Sequence, residues 1–248
     1  MFVNGLGQSR LSWDEQLTPA MTGRFRIVTY DLRGHGDSDK PPTPASYADG
    51  AAWGVDLHAV IEQTGLRRPL VVAWSMGGLI VGHYLERHGA GRIAGINLVD
   101  AVTSFAPGLL SATSAELGKR LALPDLAVRS DAIGAFLADC FATRPPAALF
   151  ARMLAYNGMM PRAVQQGLIG ITTDGLDRAF AAVPRMLISH GARDALVDVA
   201  MSRRMLAINR SARLSIYSNA GHAPFIEDAA RFNRELAAFA ASPTGDLP

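Results

Sequence analysis

The sequence predicts an α/β fold: a mostly parallel, doubly wound sheet with helices on both faces. Three observations point there. Near-continuous apolar runs recur at residues 25–30, 70–74, 93–99, 186–190 and 214–217, and strands covered on both faces read as such runs rather than as alternation. Helical patterns separate them, which is the order of a parallel sheet built from crossover units. The run at 70–74 then passes straight into Ser75-Met76-Gly77-Gly78 and an apolar helical stretch, so a buried strand turns sharply into a helix with a serine at the corner.

Each element has its own warrant. Met1-Phe2-Val3 reads as the end of a strand entering the loop Asn4-Gly5-Leu6-Gly7-Gln8-Ser9. Residues 48–64 carry Val55 and Ala59 on a helical face, and residues 76–88 carry Leu79, Ile80 and Tyr84. Gly78 and Gly82, four apart, suit close packing of that helix on the sheet. Residues 200–208 and 224–241 complete the helical set, with Pro224 fitting a first helical turn. Residues 101–182 break the alternation. They hold amphipathic stretches at 131–141 and 147–156, punctuated by Pro107, Pro124, Pro145-Pro146 and Pro161. They are expected to form a helical insertion lying over the C-terminal ends of the strands. Residues 242–248 are expected to be a frayed tail.

Composition narrows the function classes. Apolar residues make up 49% of 248 and charged residues 19%, enough for a large core in one α/β domain or two small ones. The formal charge is +2, from 24 basic and 22 acidic residues. That balance, with no Lys/Arg run, argues against a nucleic-acid partner. Cys140 is the only cysteine, which excludes an intrachain disulfide and a cysteine-based zinc site. The N-terminus has no basic stretch followed by an apolar one. No apolar run reaches the roughly 18 residues of a membrane span. A cytoplasmic protein without a membrane partner is expected.

A serine nucleophile needs a base to take its proton, and the base needs an orienting acid. Of the histidines, His222 lies in a loop directly after the run at 214–217, and His35 lies in the loop Arg33-Gly34-His35-Gly36. Chain order favours His222. His190 ends a strand facing the core or the loop below, while His58, His83 and His88 lie on helices. Asp194 and Asp100 both follow strands and are both candidates for the acid; Asp198 suits a helix cap.

With these residues in place, the chain resembles the α/β-hydrolase-fold serine hydrolases, close to small bacterial esterases, lactonases and cofactor-free haloperoxidases. Asn4-Gly5-Leu6-Gly7 resembles that family's oxyanion loop, and Asp31 to Ser38 its Asp-x-Arg-Gly-x-Gly-x-Ser loop. Trp74 to Gly78 resembles its nucleophile elbow, with Ala73 where glycine is usual. His190 to Asp194 resembles the acid loop, and Gly221-His222-Ala223-Pro224 with Glu227 the histidine loop. The resemblance implies Ser75 as nucleophile, His222 as base and Asp194 as its acid, with the N–H groups of Leu6 and Met76 as the oxyanion hole. It implies no cofactor and no metal, and a small ester or lactone as the molecular partner; it says nothing of oligomeric state.

The resemblance also implies a hydrolase core at residues 1–100 and 183–241 and a cap at 101–182, inserted after the family's sixth strand. Phe105, Phe136, Phe141, Phe150, Met153, Met159 and Met160 are offered as apolar pocket lining. Two departures stand out. Asn4 replaces the family's usual histidine, and the family's first two strands are absent, which raises the expectation of a truncated N-terminus or a start assigned too late. The competing readings are a binding protein with vestigial chemistry, and a C–C hydrolase or perhydrolase using the same residues. An aspartate-nucleophile dehalogenase or epoxide hydrolase is disfavoured by Ser75.

Overall fold

In the computed structural model, which describes residues 1–242, a five-stranded, wholly parallel sheet runs in the order β1 (Phe2–Val3), β2 (Leu70–Trp74), β3 (Gly95–Val99), β4 (Met186–Gly191), β5 (Ala212–Tyr217). The central strands are buried throughout because helices cover both faces: every residue of β3 and β4 is buried, the polar Asn97, Ser189 and His190 included. Registers such as Ala73 opposite Leu98 and Val99 opposite Ser189 bring the C-terminal ends of β2, β3 and β4 level. The loops carrying Ser75, Asp100 and Asp194 therefore emerge at one edge of the sheet, where ligands bind in open parallel sheets.

The helices are α1 (Pro19–Thr22), α2 (Gly50–Gln63), α3 (Gly77–His88), α4 (Ala112–Leu121), α5 (Leu126–Asp139), α6 (Ala147–Gly158), α7 (Arg162–Leu168), α8 (Leu176–Ala181), α9 (Val199–Ile208), α10 (Pro224–Glu227) and α11 (Ala229–Ala241). Side-chain caps start several of them: Asp49 accepts from Ala51 N–H, Ser111 from Ser114 N–H, Asp125 from Val128 N–H and Asp198 from Ala200 N–H. None of the helices among the described residues is long and apolar enough to cross a membrane.

Two expected elements differ. Residues 25–30 form no strand beyond a single bridge, Phe2 to Thr29, supported by Phe2 N–H donating to Val28 O at 2.9 Å. The neighbouring β1 is only two residues long, so it offers little backbone to pair with. The segment is half-buried at best, unlike a strand covered on both faces. The single helix expected over 224–241 is two. The break falls at Asp228 (φ −135°, ψ 55°), whose side chain accepts from Arg231 N–H to cap the second. The expected tail lies, beyond Ser242, outside the described residues.

Helices α4 to α8 form the insertion between β3 and β4, and backbone bonds tie it to the loops of the sheet edge. Ser111 N–H donates to Leu196 O, and Asp198 N–H to Leu109 O, both at 3.0 Å. On the other side Glu227 accepts from the N–H groups of Ala142 (2.8 Å) and Thr143 (3.2 Å). The loops beside Asp194 and His222 are thus each pinned to the insertion.

Candidate active site

Ser75 sits at φ 54°, in the left-handed region, where a non-glycine residue is strained by roughly 1–3 kcal/mol and persists only if its surroundings hold it. Three backbone bonds do so. Ser75 N–H donates to Val99 O (3.0 Å), and Ser75 O accepts from Val102 N–H (2.8 Å) and Gly78 N–H (2.9 Å). The corner demands a small residue after the serine: a Cβ on Gly77 would lie 2.9 Å from Val3 O and 3.2 Å from Asn4 O. Ala73 is fully buried within β2, and its methyl is accommodated there.

Helix α3 starts immediately after this turn, so its positive N-terminal end faces the serine. Among the described residues, no backbone acceptor takes the N–H of Met76 or of Leu6. Both residues line the same cavity as Ser75 and His222. The Leu6 loop is anchored by Asn4, whose Oδ1 accepts from Trp13 Nε1 at 2.6 Å and whose Nδ2 donates to Tyr30 O at 3.0 Å. Asparagine here ties two segments together with one donor and one acceptor.

His222 is 1% exposed. Its Nδ1 lies 2.7 Å from Asp194 Oδ2, and its Nε2 is buried with no hydrogen-bond partner. Its loop is held by Gly221 N–H donating to Glu227 Oε2 (2.7 Å) and by Trp74 Nε1 donating to His222 O (2.7 Å). Trp74 in turn packs edge-on against Phe225, which lies 4.3 Å from Trp13 between ring centroids. An aromatic cluster beneath the elbow therefore fixes the histidine loop relative to the serine. The approach of the two loops is tight: a Cβ on Gly191 would meet Gly221 O at 1.8 Å, so only glycine fits.

Asp194 is oriented from its other oxygen. Oδ1 accepts from Leu196 N–H (2.8 Å) and Val197 N–H (3.0 Å), leaving Oδ2 to His222. Burial pushes this carboxyl upward, but the charge and hydrogen bond of His222 and the Val197 amide outweigh it, so the group stays ionised below its ordinary range.

Near it lies a second serine–histidine–aspartate cluster. His190 Nδ1 is 2.8 Å from Ser202 Oγ and 3.5 Å from Asp100 Oδ1. It is no relay, because a base must meet serine and acid on different ring nitrogens, and here both meet Nδ1. Ser202 is 3% exposed within α9 and does not line the cavity.

The other sequence candidates fall into structural roles. His35 is buried, bonds Arg33 O through Nδ1 at 2.9 Å, and burial lowers its pKa to about 4. Asp31 accepts from Arg10 and from Asp37 N–H, and Arg33 pairs with Asp56. His58 and His88 stack at 4.0 Å.

The cavity has a volume of about 540 Å³, bounded on one side by the sheet-edge loops and on the other by the insertion. Of the aromatic and methionine residues expected to line it, Phe105 and Phe136 do so. Phe141, Phe150, Met153 and Met160 are buried in the core instead, and Met159 is 47% exposed. Composition alone could not separate these, since core and pocket want the same residue types. Sequence reasoning missed the lining residues Leu168, Ile169 and Ile171, at the end of α7 and just beyond it, and the polar lining residues Ser114, Lys119 and Gln165, of which Gln165 is buried.

Comparison with known proteins agrees with this architecture. The sequence profile of the Alpha/beta hydrolase family matches residues 1–235. A non-heme haloperoxidase of Rhodococcus erythropolis is 29% identical, the match covering 96% of this chain and 90% of that protein. Among solved structures, a Burkholderia cenocepacia protein assigned as an aryl esterase superposes with a TM-score of 0.93 at 36% identity, covering 99% of this chain and 90% of that one. An esterase from a Rhodococcus species does so with a TM-score of 0.86 at 30% identity, covering 97% and 89%.

Proposed function

The chain belongs to the alpha/beta hydrolase family, and from that premise we propose a serine hydrolase that cleaves small carboxylic esters or lactones through an acyl-enzyme formed on Ser75. One observation carries the assignment: His222 is held by Asp194 through Nδ1 at 2.7 Å, its Nε2 has no partner, and the residue lines the same cavity as Ser75. A base oriented on one nitrogen and free on the other is what a serine nucleophile needs. Hydrogen bonds of this kind are often long before substrate binds and tighten in the Michaelis complex.

In this reading Ser75 Oγ attacks the acyl carbonyl as His222 Nε2 takes its proton. Asp194 keeps the remaining proton on Nδ1 and stabilises the imidazolium. The carbonyl oxygen gains negative charge and is met by the N–H groups of Leu6 and Met76 at the start of α3; losing one such donor typically costs about 10²–10³ in turnover. His222 returns its proton to the leaving alcohol, then activates water to release the acid.

The insertion at 101–182 is the cap over a core of 1–100 and 183–241. Its apolar wall of Phe105, Phe136, Leu168 and Ile171 favours an apolar acyl or alcohol group. The relatives carry esterase and haloperoxidase names, and ester chemistry is the reading taken here. A cytoplasmic location is part of the proposal and is checked by cell fractionation.

The test is hydrolysis of p-nitrophenyl acetate, butyrate and octanoate by wild type and Ser75→Ala. Loss of turnover in a variant with an unchanged melting curve is expected, with the chain-length profile sizing the cavity. Equal turnover in the variant would remove Ser75 from the mechanism.

A further inference from the structure

Behind the Asp194–His222 pair lies a second acid that the proposed mechanism does not use. Asp100 directly follows β3 at φ 42°, fully buried. Its Oδ1 accepts from Gly191 N–H at 2.8 Å. No protein donor reaches its Oδ2, and its carboxyl lies within 4.8 Å of that of Asp194 in one buried cluster with His190. Two buried carboxylates this close strongly disfavour a doubly ionised state, so one of the two holds a proton. Asp194 already accepts three hydrogen bonds, from Leu196, Val197 and His222, so the ionised form belongs to Asp194 and the proton to Asp100.

The other groups around Asp100 offer no competing arrangement. His190 on β4 is 3.5 Å from Asp100 through Nδ1, and its Nε2 is 4.0 Å from Asp194 Oδ2. Neither nitrogen is close enough for a charged hydrogen bond, and Ser202 of α9 occupies Nδ1 at 2.8 Å. Burial outweighs the attraction of Asp194 and holds His190 below its ordinary pKa. Glu227 of α10, the Cys140 thiol after α5 and His222 complete the titratable surroundings. Burial first, and Asp194 second, raise the Asp100 carboxyl well above the usual carboxylate range.

We propose that Asp100 is a positioning residue for the reaction: a neutral carboxylic acid that donates its Oδ2 proton to Asp194 and so tempers the charge that Asp194 presents to His222. The inference rests on the catalytic roles proposed above for Asp194 and His222. A neutral donor drains charge from Asp194, weakens its hold on the His222 imidazolium and keeps His222 available as a base at lower pH.

Two measurements test this. The first needs no activity: infrared difference spectra of wild type minus Asp100→Asn at neutral pH. A carboxylic-acid C=O band present in wild type and missing in the variant is expected; its absence from wild type would overturn the proposal even if ester turnover had never been found. The second is the pH profile of kcat/KM. Asp100→Ala removes the donor, and the acidic limb is expected to move up by roughly one pH unit. Asp100→Asn restores a neutral donor and an acceptor in the same places, and is expected to bring the limb back. Were Asp100 ionised, both variants would remove a negative charge near His222 and move the limb down; that common downward shift sinks the idea. Should Asp100→Ala fail to fold, the direction of the limb in Asp100→Asn decides alone.

Discussion

Replacing Asp194 by asparagine isolates the acid's contribution. The two oxygens of Asp194 have divided duties: Oδ1 takes the amides of Leu196 and Val197, and Oδ2 takes His222. Asparagine keeps only one acceptor. If its oxygen stays on the two amides, its NH₂ points at His222 Nδ1, and donor meets donor. If it flips, two buried N–H groups face an NH₂, at a cost of about 1–3 kcal/mol each. The first arrangement is cheaper, because the imidazole can relieve it by moving its own proton to Nε2. That tautomer presents N–H rather than a lone pair to Ser75, and the base is gone. A wrong tautomer in a serine–histidine–aspartate system costs about 10⁴ in kcat, equivalent to roughly 5 kcal/mol. The assay is kcat on p-nitrophenyl butyrate at pH 7.5, alongside a thermal melt to show that the amide cradle survives. Retention of more than about a tenth of wild-type kcat would refute the reasoning. If Asp100→Asn instead showed the 10⁴-fold loss, the acid would be Asp100.

Three further outcomes are expected. Gly77→Ala places a methyl 2.9 Å from Val3 O, so it should destabilise the fold by about 1–3 kcal/mol and lower kcat more than it raises KM, because the Leu6 loop must retreat; melting and steady-state kinetics read both effects. Asn4→Ala strands Trp13 Nε1 and Tyr30 O and should cost about 1–3 kcal/mol per buried group, seen as a lower urea midpoint with unchanged slope. His35 is depressed to about 4 in the fold against 6.5 ordinarily, so the unfolded chain binds the extra proton between those values. Stability should therefore fall as pH drops from about 6.5 to about 4, by up to about 3 kcal/mol from this residue, and urea melts of His35→Asn should show a shallower decline than wild type.

Much of the architecture was legible because parallel strands buried on both faces leave an unambiguous trace. The runs at 70–74, 93–99, 186–190 and 214–217 correspond to β2 through β5 within a few residues. Residues 25–30 misled because apolar content reports burial, whereas a strand also needs a backbone partner, and β1 is too short to supply one. The helix at 224–241 misled because Asp228 looks like any polar residue until its cap is seen.

The sequence by itself determined the kinds of residue and their places relative to the strands: a serine at a strand-to-helix corner, acids after β3 and β4, a histidine after β5. Those follow from local patterns, since a small-residue turn and an apolar run are each encoded within a few positions. Tertiary structure alone decided how they combine. It set Asp194 rather than Asp100 against His222, sent Phe136 to the cavity and Phe150 to the core, and pressed Gly191 onto Gly221 so that two acids and two histidines share one buried space. Distances between loops far apart in the chain depend on strand order, register and twist together, and no short stretch of sequence carries all three.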